Sequence, residues 1–469
     1  MAVHADPEME IGGISYDSRT TKPGDLFVAV AGEKEDGSRF ISQARANGAV
    51  CVVCGSAVCE EIPCVVVPDC RRALAELSAT FFGDPGKELT LVGVTGTNGK
   101  TTTTYLIKRI LEQKAGAKVG LIGTIHNMIG QEILPTERTT PESYELQRLL
   151  RQMADAGCTH VVMEVSSHGL MLERVRGLQF AVALFTNLTQ DHLDFHGTME
   201  NYCAAKAKLF GQCDLAVYNQ DGPWAEQLLK DSACRRVSYG VNAVAELQAT
   251  KVSLHSGHVS YVLRGEKEVP VRVAIPGIFS VYNSLAAIAV CWNLGVATDD
   301  CAAVLQNDSG AKGRMEVVPT PGKPYTVLID YAHTPDALEN VLRAVRAFAK
   351  GRTVAVFGCG GDRDRTKRPQ MGSIAARLAD FVVVTTDNPR TEEPMQIIED
   401  ILQGMRDAAT PYAVIENRAA AIRWALTHAQ SGDVIVLCGK GHEDYQEIGQ
   451  QKYHLDEREI VASVLAESR

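Results

Sequence analysis

Apolar residues along this chain gather in short runs, and between the runs they recur at the three- and four-residue spacing of a helix face. Runs at 49–53 and 64–67 predict strands, 24–30 predicts a turn followed by an alternating strand, and 41–46 and 71–82 predict helices between them. Further strand runs stand at 89–94, 119–123, 160–165 and 181–187, and again at 327–330, 354–358, 381–385 and 434–438. Strands that alternate with helical stretches argue parallel sheets covered by helices. The expected fold class is α/β, with Gly83-Asp84-Pro85-Gly86-Lys87 as a linker and Thr139-Thr140-Pro141 as a helix start, a threonine cap followed by proline.

One strand exit carries most of the chemistry. The run at 89–94 leads into Gly96-Thr97-Asn98-Gly99-Lys100-Thr101-Thr102, and Tyr105, Leu106, Ile107, Ile110 and Leu111 then mark a helix face. Glycines let backbone N–H groups turn toward phosphate oxygens, Lys100 supplies a point charge, and the Thr101 hydroxyl is placed for Mg²⁺. This is a phosphate loop for a nucleoside triphosphate, although Val94 stands where the common motif has its first glycine. Glu164, at the end of the run His160-Val161-Val162-Met163, sits where such proteins keep a metal ligand. Asp191-His192-Leu193-Asp194-Phe195-His196 follows the strand at 181–187 and has the groups for Mg²⁺ or phosphate contact. In the helix 202–210, Lys206 shares a face with Tyr202, Leu209 and Phe210 and points inward, whereas Lys208 does not.

Composition narrows the class. A net charge of −10 over 469 residues argues against nonspecific nucleic-acid binding, and no apolar run approaches a bilayer span. Asp6, Glu8 and Glu10 stand where a signal peptide would be basic and then apolar, which predicts a cytoplasmic protein. Thirteen cysteines scattered through apolar segments agree with a reducing compartment. The group Cys51, Cys54, Cys59, Cys64 and Cys70 invites a zinc reading, but 49–54 at its start looks like a buried strand, where free cysteine behaves as a small hydrophobe, and that reading is preferred.

The loop Thr-Gly-Thr-Asn-Gly-Lys-Thr-Thr, Glu-Val-Ser-Ser-His after a strand, Thr-Asn-Leu-x-x-Asp-His-Leu-Asp-Phe-His-Gly and Tyr-x-x-Ala-Lys-x-x-Leu-Phe together resemble the Mur ligases, enzymes of peptidoglycan precursor synthesis. Gly277 with Asn283, Gly313-Arg314-Met315-Glu316 and Asp330-Tyr331-Ala332-His333-Thr334-Pro335 continue the match in order. The resemblance implies three domains: an N-terminal UDP-sugar domain (1–88), a central phosphate-loop ATPase domain with a mostly parallel sheet (89–314) and a C-terminal Rossmann-like domain (315–469). It implies ATP and two Mg²⁺ ions, with Thr101, Glu164, His192 and Lys206 at the metals and Lys206 as N6-carboxylysine. Asn283, Arg314 and Asp330 match nucleotide contacts beyond the loop. Ser18, Thr139, Thr140, Ser166 and Arg174 match contacts to a UDP-muramoyl dipeptide; Leu172 replaces a substrate-binding glutamine of some members, so that contact is not carried over. A monomer acting on small molecules is expected.

Asp387-Asn388-Pro389-Arg390, just past a strand, resembles the members that add meso-diaminopimelate. The chemistry agrees, because diaminopimelate ends in an ammonium and a carboxylate where lysine ends in an ammonium alone, and an arginine fork binds a carboxylate bidentately. Arg390 is the expected selector, with Arg363, Gly439 and Glu443 as further matches and Glu443 suited to the distal ammonium. The alternatives are lysine as acceptor, a folylpolyglutamate-type ligase, or an inactive nucleotide-binding regulator.

Overall fold

The computed structural model describes residues 2–32, 35–56, 62–308 and 310–467, and it comprises two compact units, residues 1–239 and 240–469. The first unit begins with a five-stranded sheet in the order Ala2–His4, Cys64–Val66, Cys51–Cys54, Asp25–Val28, Gly13–Ser15, parallel except for its first strand. Asp25–Val28 forms the strand expected there and is buried along its whole length, between two neighbouring strands and under helix Cys70–Phe81. Cys51, Cys54 and Cys64 are buried strand thiols, while Cys59 lies outside the described residues.

The central sheet of this unit runs Arg235–Gly240, Cys213–Asn219, Phe180–Phe185, Thr90–Thr95, His160–Glu164, Val119–Ile122, with the small strands Asn127–Ile129 and Glu132–Leu134 at its edge. Its six long strands are parallel, and Leu91, Val92, Val94, Val161, Val162 and Met163 have no exposed surface. Each such side chain contributes roughly 1.5–3 kcal/mol by leaving water. The expected linker is instead a packed turn, Pro85–Lys87, with Pro85 buried.

The helix expected at Thr139 starts later, at Ser143, and runs to Asp155. Thr140 is wholly buried and its hydroxyl is engaged elsewhere: it donates to the Glu164 carbonyl at 2.9 Å and accepts from the Ser166 N–H at 3.0 Å. A threonine committed to another strand cannot cap its own helix.

The second unit opens with the antiparallel strands Leu247–Leu254, Val259–Arg264 and Glu268–Val273 and the apolar helix Ile278–Asn293. A six-stranded sheet follows in the order Glu316–Val318, Thr326–Asp330, Val434–Cys438, Thr353–Phe357, Phe381–Val384, Tyr412–Val414, antiparallel only at its first pair. Loops after the carboxyl ends of parallel strands are where ligands bind in such sheets. Those ends carry Asp330, Cys359-Gly360-Gly361, Asp387-Asn388-Pro389-Arg390 and Gly439-Lys440.

Candidate active site

In the first unit, strand Thr90–Thr95 passes Val94, fully buried in the sheet, and turns at Gly96 into helix Lys100–Lys114. Val94 is strand interior here, so the missing first glycine is no loss. A Cβ on Gly96 would stand 2.0 Å from Thr186 Oγ1, and its φ of +144° also excludes a side chain. The neighbouring strand exit braces the loop: Thr97 N–H donates to the Asn187 carbonyl at 2.8 Å, and Asn98 N–H donates to Asn187 Oδ1 at 2.9 Å. Thr186 Oγ1 returns a bond to the Asn98 carbonyl at 2.7 Å. Gly99 begins the helix in the left-handed region with no side-chain cap, which leaves first-turn amides for an anion.

Lys100 Nζ folds onto the carbonyls of Gly96 and Thr97, at 2.9 and 2.8 Å. Thr101 and Thr102 are buried behind it, and Thr101 Oγ1 donates to Glu164 Oε2 at 3.0 Å. Glu164 also accepts from Thr124 N–H at 2.9 Å and Thr124 Oγ1 at 3.0 Å. Among the described residues, this nearly sealed carboxylate thus has only neutral hydrogen-bond donors, an arrangement that favours a cation beside it. Among the described residues no cluster of three or more His, Cys, Asp or Glu is set to hold a metal alone. A hydroxyl plus one carboxylate nevertheless fits Mg²⁺, which takes oxygen ligands and completes its shell with phosphates and water.

Lys206 is 1% exposed, and its Nζ donates to the same Gly96 carbonyl at 2.9 Å and lies 4.5 Å from the Tyr202 ring centroid. Burial, and then the charge of Lys100, push its ammonium well below the ordinary lysine range. His192 is about half exposed in the left-handed region; its ring approaches Asp191 Oδ2 at 3.4 Å and packs edge-on to His168 at 4.9 Å, and no bond joins it to Thr101 or Glu164. His196, against Ser167 Oγ at 2.9 Å, is pushed down to about 4, mainly by burial, and is neutral at neutral pH.

The residues matched to the dipeptide substrate gather on the other side of Glu164. Thr139 and Thr124 share a bond of 3.0 Å, Thr140 Oγ1 lies 3.2 Å from Ser166 Oγ, and Arg174 Nη1 donates to the Thr140 carbonyl at 3.0 Å. Arg174 Nη2 pairs with Glu142 at 2.6 Å, while its buried Nε has no partner among the described residues. Ser18 is buried, and its carbonyl accepts from Asn47 at 2.7 Å. Two residues earlier Tyr16 donates to Glu145 at 2.8 Å beside a cavity of about 440 Å³ that Arg138 and Glu142 also line.

The second unit holds the remaining candidates. Asn283 is buried in helix Ile278–Asn293. Asp330 accepts from the N–H groups of Met315 and Ala332 at 2.8 and 2.9 Å; burial pushes its carboxyl up against the pull of Arg314. Arg314 lies 5.1 Å from the Tyr331 ring centroid, and among the described residues its buried Nε has no partner. Asp387 and Asn388 are buried, and Pro389 leads into Arg390, whose Nε donates to Glu447 at 2.9 Å. Glu443 accepts from Asn388 Nδ2 at 3.1 Å. A Cβ on Gly439 would stand 2.4 Å from Asp387 Oδ2, and its φ of +112° strains any side chain there. Arg363 lies at the surface, bonded to the Asp362 carbonyl at 3.0 Å.

Sequence reasoning passed over Thr124, Thr186, Asn187, Lys440 and Glu447. Thr186 and Asn187 had a signal, since they end a strand run as the phosphate loop does; Thr124 and Glu447 had none.

A phosphate loop joined to a buried threonine–carboxylate pair, with a sealed lysine behind it and a second doubly wound sheet, defines an ATP-handling ligase fold, and the chain belongs to the Mur ligase family. Residues 94–291 match the Mur ligase middle domain, 313–441 the Mur ligase glutamate ligase domain, and 10–82 the Mur ligase family catalytic domain. A UDP-N-acetylmuramoyl-L-alanyl-D-glutamate–2,6-diaminopimelate ligase of Caldanaerobacter subterraneus is 46% identical over 99% of this chain and 97% of its own length. Its namesake in Geobacillus thermodenitrificans is 44% identical over 100% of this chain and 97% of its own. A solved structure bearing the same enzyme name is 32% identical, covers 100% of this chain and 97% of its own, and superposes with a TM-score of 0.76. The MurF ligase of Thermotoga maritima, solved with ADP, shares the fold at 19% identity and a TM-score of 0.62, covering 99% of this chain and 100% of its own.

Proposed function

We propose that this protein is an ATP-dependent ligase that joins meso-diaminopimelate to UDP-N-acetylmuramoyl-L-alanyl-D-glutamate, giving the tripeptide, ADP and phosphate, in the cytoplasmic assembly of peptidoglycan precursors. The observation that carries the reading is the Thr101–Glu164 bond of 3.0 Å at the mouth of an uncapped phosphate-binding helix. Names borne by relatives 44–46% identical over the whole chain support the substrates.

The reaction needs positioning and charge stabilisation above all. The UDP-muramoyl dipeptide is contacted by Ser18, Thr139, Thr140, Ser166 and Arg174, and its free γ-carboxylate attacks the γ-phosphate in line. Lys100 leaves its carbonyl partners for the phosphates, and an acyl phosphate forms. Thr101, Glu164 and His192 would hold Mg²⁺, which when bound screens charge on the phosphate oxygens. Asn283 holds the adenine, and Arg314 and Asp330 the rest of the nucleotide. The amine of diaminopimelate, bound through Arg363, Asp387, Asn388, Arg390, Gly439 and Glu443, then displaces phosphate. Lys206 fits carbamylation: a sealed amine deprived of its proton is nucleophilic, adds CO₂ and releases a proton, and becomes a carboxylate for a second Mg²⁺. The domain limits 1–88, 89–314 and 315–469 and a monomeric state complete the proposal; among the described residues no helix is long and apolar enough to cross a membrane.

The test is phosphate release from ATP with the UDP-dipeptide and meso-diaminopimelate, L-lysine or no amino acid. Release with diaminopimelate well above that with lysine, and none without an amino acid, is expected. Release with lysine alone would keep the ligase and remove the acceptor, and none at all would remove the reaction.

A further inference from the structure

The loop carrying Arg390 takes its shape from a hairpin further along the chain. Strand Tyr445–Ile448, paired with Gln451–His454, lies along Asp387-Asn388-Pro389-Arg390. Gln446 Nε2 donates to the Asp387 carbonyl at 2.7 Å, and Glu447 N–H donates to Asn388 Oδ1 at 2.9 Å. Arg390 N–H donates to the Glu447 carbonyl at 3.1 Å, and Gly449 N–H donates to the Arg390 carbonyl at 2.7 Å. These bonds hold Arg390 at a φ of 52°, a conformation that non-glycine residues adopt only when their surroundings impose it. The guanidinium is then aimed: Nε donates to Glu447 Oε2 at 2.9 Å and Nη1 to the Gly361 carbonyl at 2.8 Å, and among the described residues no bond falls on Nη2.

Lys440 orders the other end. It is wholly buried, and its Nζ donates to Asn388 Oδ1, to the Tyr445 carbonyl at 2.8 Å and to Glu443 Oε2 at 3.2 Å, which uses every ammonium hydrogen. With Oδ1 taken by Lys440 and the hairpin, the Asn388 amide must turn Nδ2 toward Glu443 Oε2. Both bonds to the Glu443 side chain fall on Oε2, so Oε1 is the edge left for a ligand. Lys440 balances one of the two carboxylates near it, Asp387 at 3.7 Å and Glu443, and leaves a net negative charge suited to an ammonium.

We infer that Glu447 and Lys440, which touch no substrate, are positioning residues that set acceptor selectivity: Glu447 aims Arg390 at the distal carboxylate, and Lys440 sets Asn388 and Glu443 for the distal ammonium. The inference rests on the function proposed above.

The experiment is steady-state kinetics of the full chain at saturating UDP-dipeptide, varying diaminopimelate, L-lysine and ATP. Glu447 is partly exposed, so Glu447→Ala should fold. It is expected to raise the KM for diaminopimelate about tenfold or more, the scale of a lost bond to a charged group. Its preference for diaminopimelate over lysine should fall by a similar factor, with the KM for ATP unmoved. Glu447→Gln, which still offers Arg390 Nε an oxygen, should restore much of both. Lys440→Met should weaken diaminopimelate and lysine alike, because both end in an ammonium; if it fails to fold, the Glu447 pair still decides. Unchanged KM and preference in Glu447→Ala, or a loss in which the KM for ATP moves equally, would overturn the inference. Failure of the unaltered protein to release phosphate with diaminopimelate would instead overturn the function beneath it.

Discussion

Arg368 and Glu392 pin the selectivity loop from below, and their pairing gives a stability change whose pH dependence is set in advance. Arg368 is wholly buried and grips Glu392 with both nitrogens, Nη2 to Oε1 at 2.8 Å and Nη1 to Oε2 at 3.0 Å, with Asp400 at 2.9 Å. Glu392, 11% exposed, also accepts from Asp362 N–H at 2.6 Å. The Arg368 bonds, ahead of every other cause, draw its carboxyl from 4.5 to about 2. A displacement of that size is worth roughly 3 kcal/mol to the folded state. Glu392→Gln keeps the shape and the Asp362 bond but removes the charge, so a loss of roughly 3 kcal/mol is expected at neutral pH. Because the folded value lies below the unfolded one, the stabilisation is complete above about 4.5 and is lost as pH falls toward about 2. Urea titration read by hydrogen exchange in strands Thr353–Phe357 and Phe381–Val384 should show the gap between protein and variant closing between about pH 5 and about pH 2. A gap that is the same at both ends of that range, or below about 1 kcal/mol at neutral pH, would refute the reasoning.

Lys100→Ala should leave the fold intact, since Lys100 is only partly buried, and should lower kcat by about a hundredfold or more in the phosphate-release assay. Arg390→Ala should raise the KM for diaminopimelate by about tenfold or more while leaving that for lysine nearly unchanged, read in parallel titrations. Thr140→Val removes a hydroxyl that bonds the Glu164 carbonyl and the Ser166 N–H, and should cost about 2–4 kcal/mol, divided between thermal stability and kcat/KM for the UDP-dipeptide. Arg418 is sealed against Glu457 at 2.8 Å and also donates to the Thr386 and Cys438 carbonyls; Arg418→Ala should cost about 3–5 kcal/mol in thermal unfolding, and pairing it with Glu457→Leu should recover part of that.

Particular elements show how far sequence reading reaches. Helix Ile41–Ala46 lies where its spacing put it, and the inward face assigned to Lys206 is an interior one. The start of helix Ser143–Asp155 was misplaced because a threonine followed by proline is a cap only if its hydroxyl is unclaimed, and Glu164 and Ser166, more than twenty residues away, claim it. Strand Asp25–Val28 lies where local alternation puts it, whereas its burial along the whole length comes from helix Cys70–Phe81, which is distant in sequence.

The sequence by itself determined the α/β class, the phosphate loop and most of the chemistry-bearing residues, because apolar periodicity, glycine placement and motif order are properties of neighbouring positions. Only the tertiary structure decided that Lys100 and Lys206 share one carbonyl, that Thr124 completes the bonds of Glu164, and that Lys440 and Glu447 shape the Asp387–Arg390 loop from about fifty residues away. Those arrangements depend on which strands lie side by side and in what register, and a buried polar group then takes whatever partner that packing brings, because leaving it unpaired costs more than any local preference can offset.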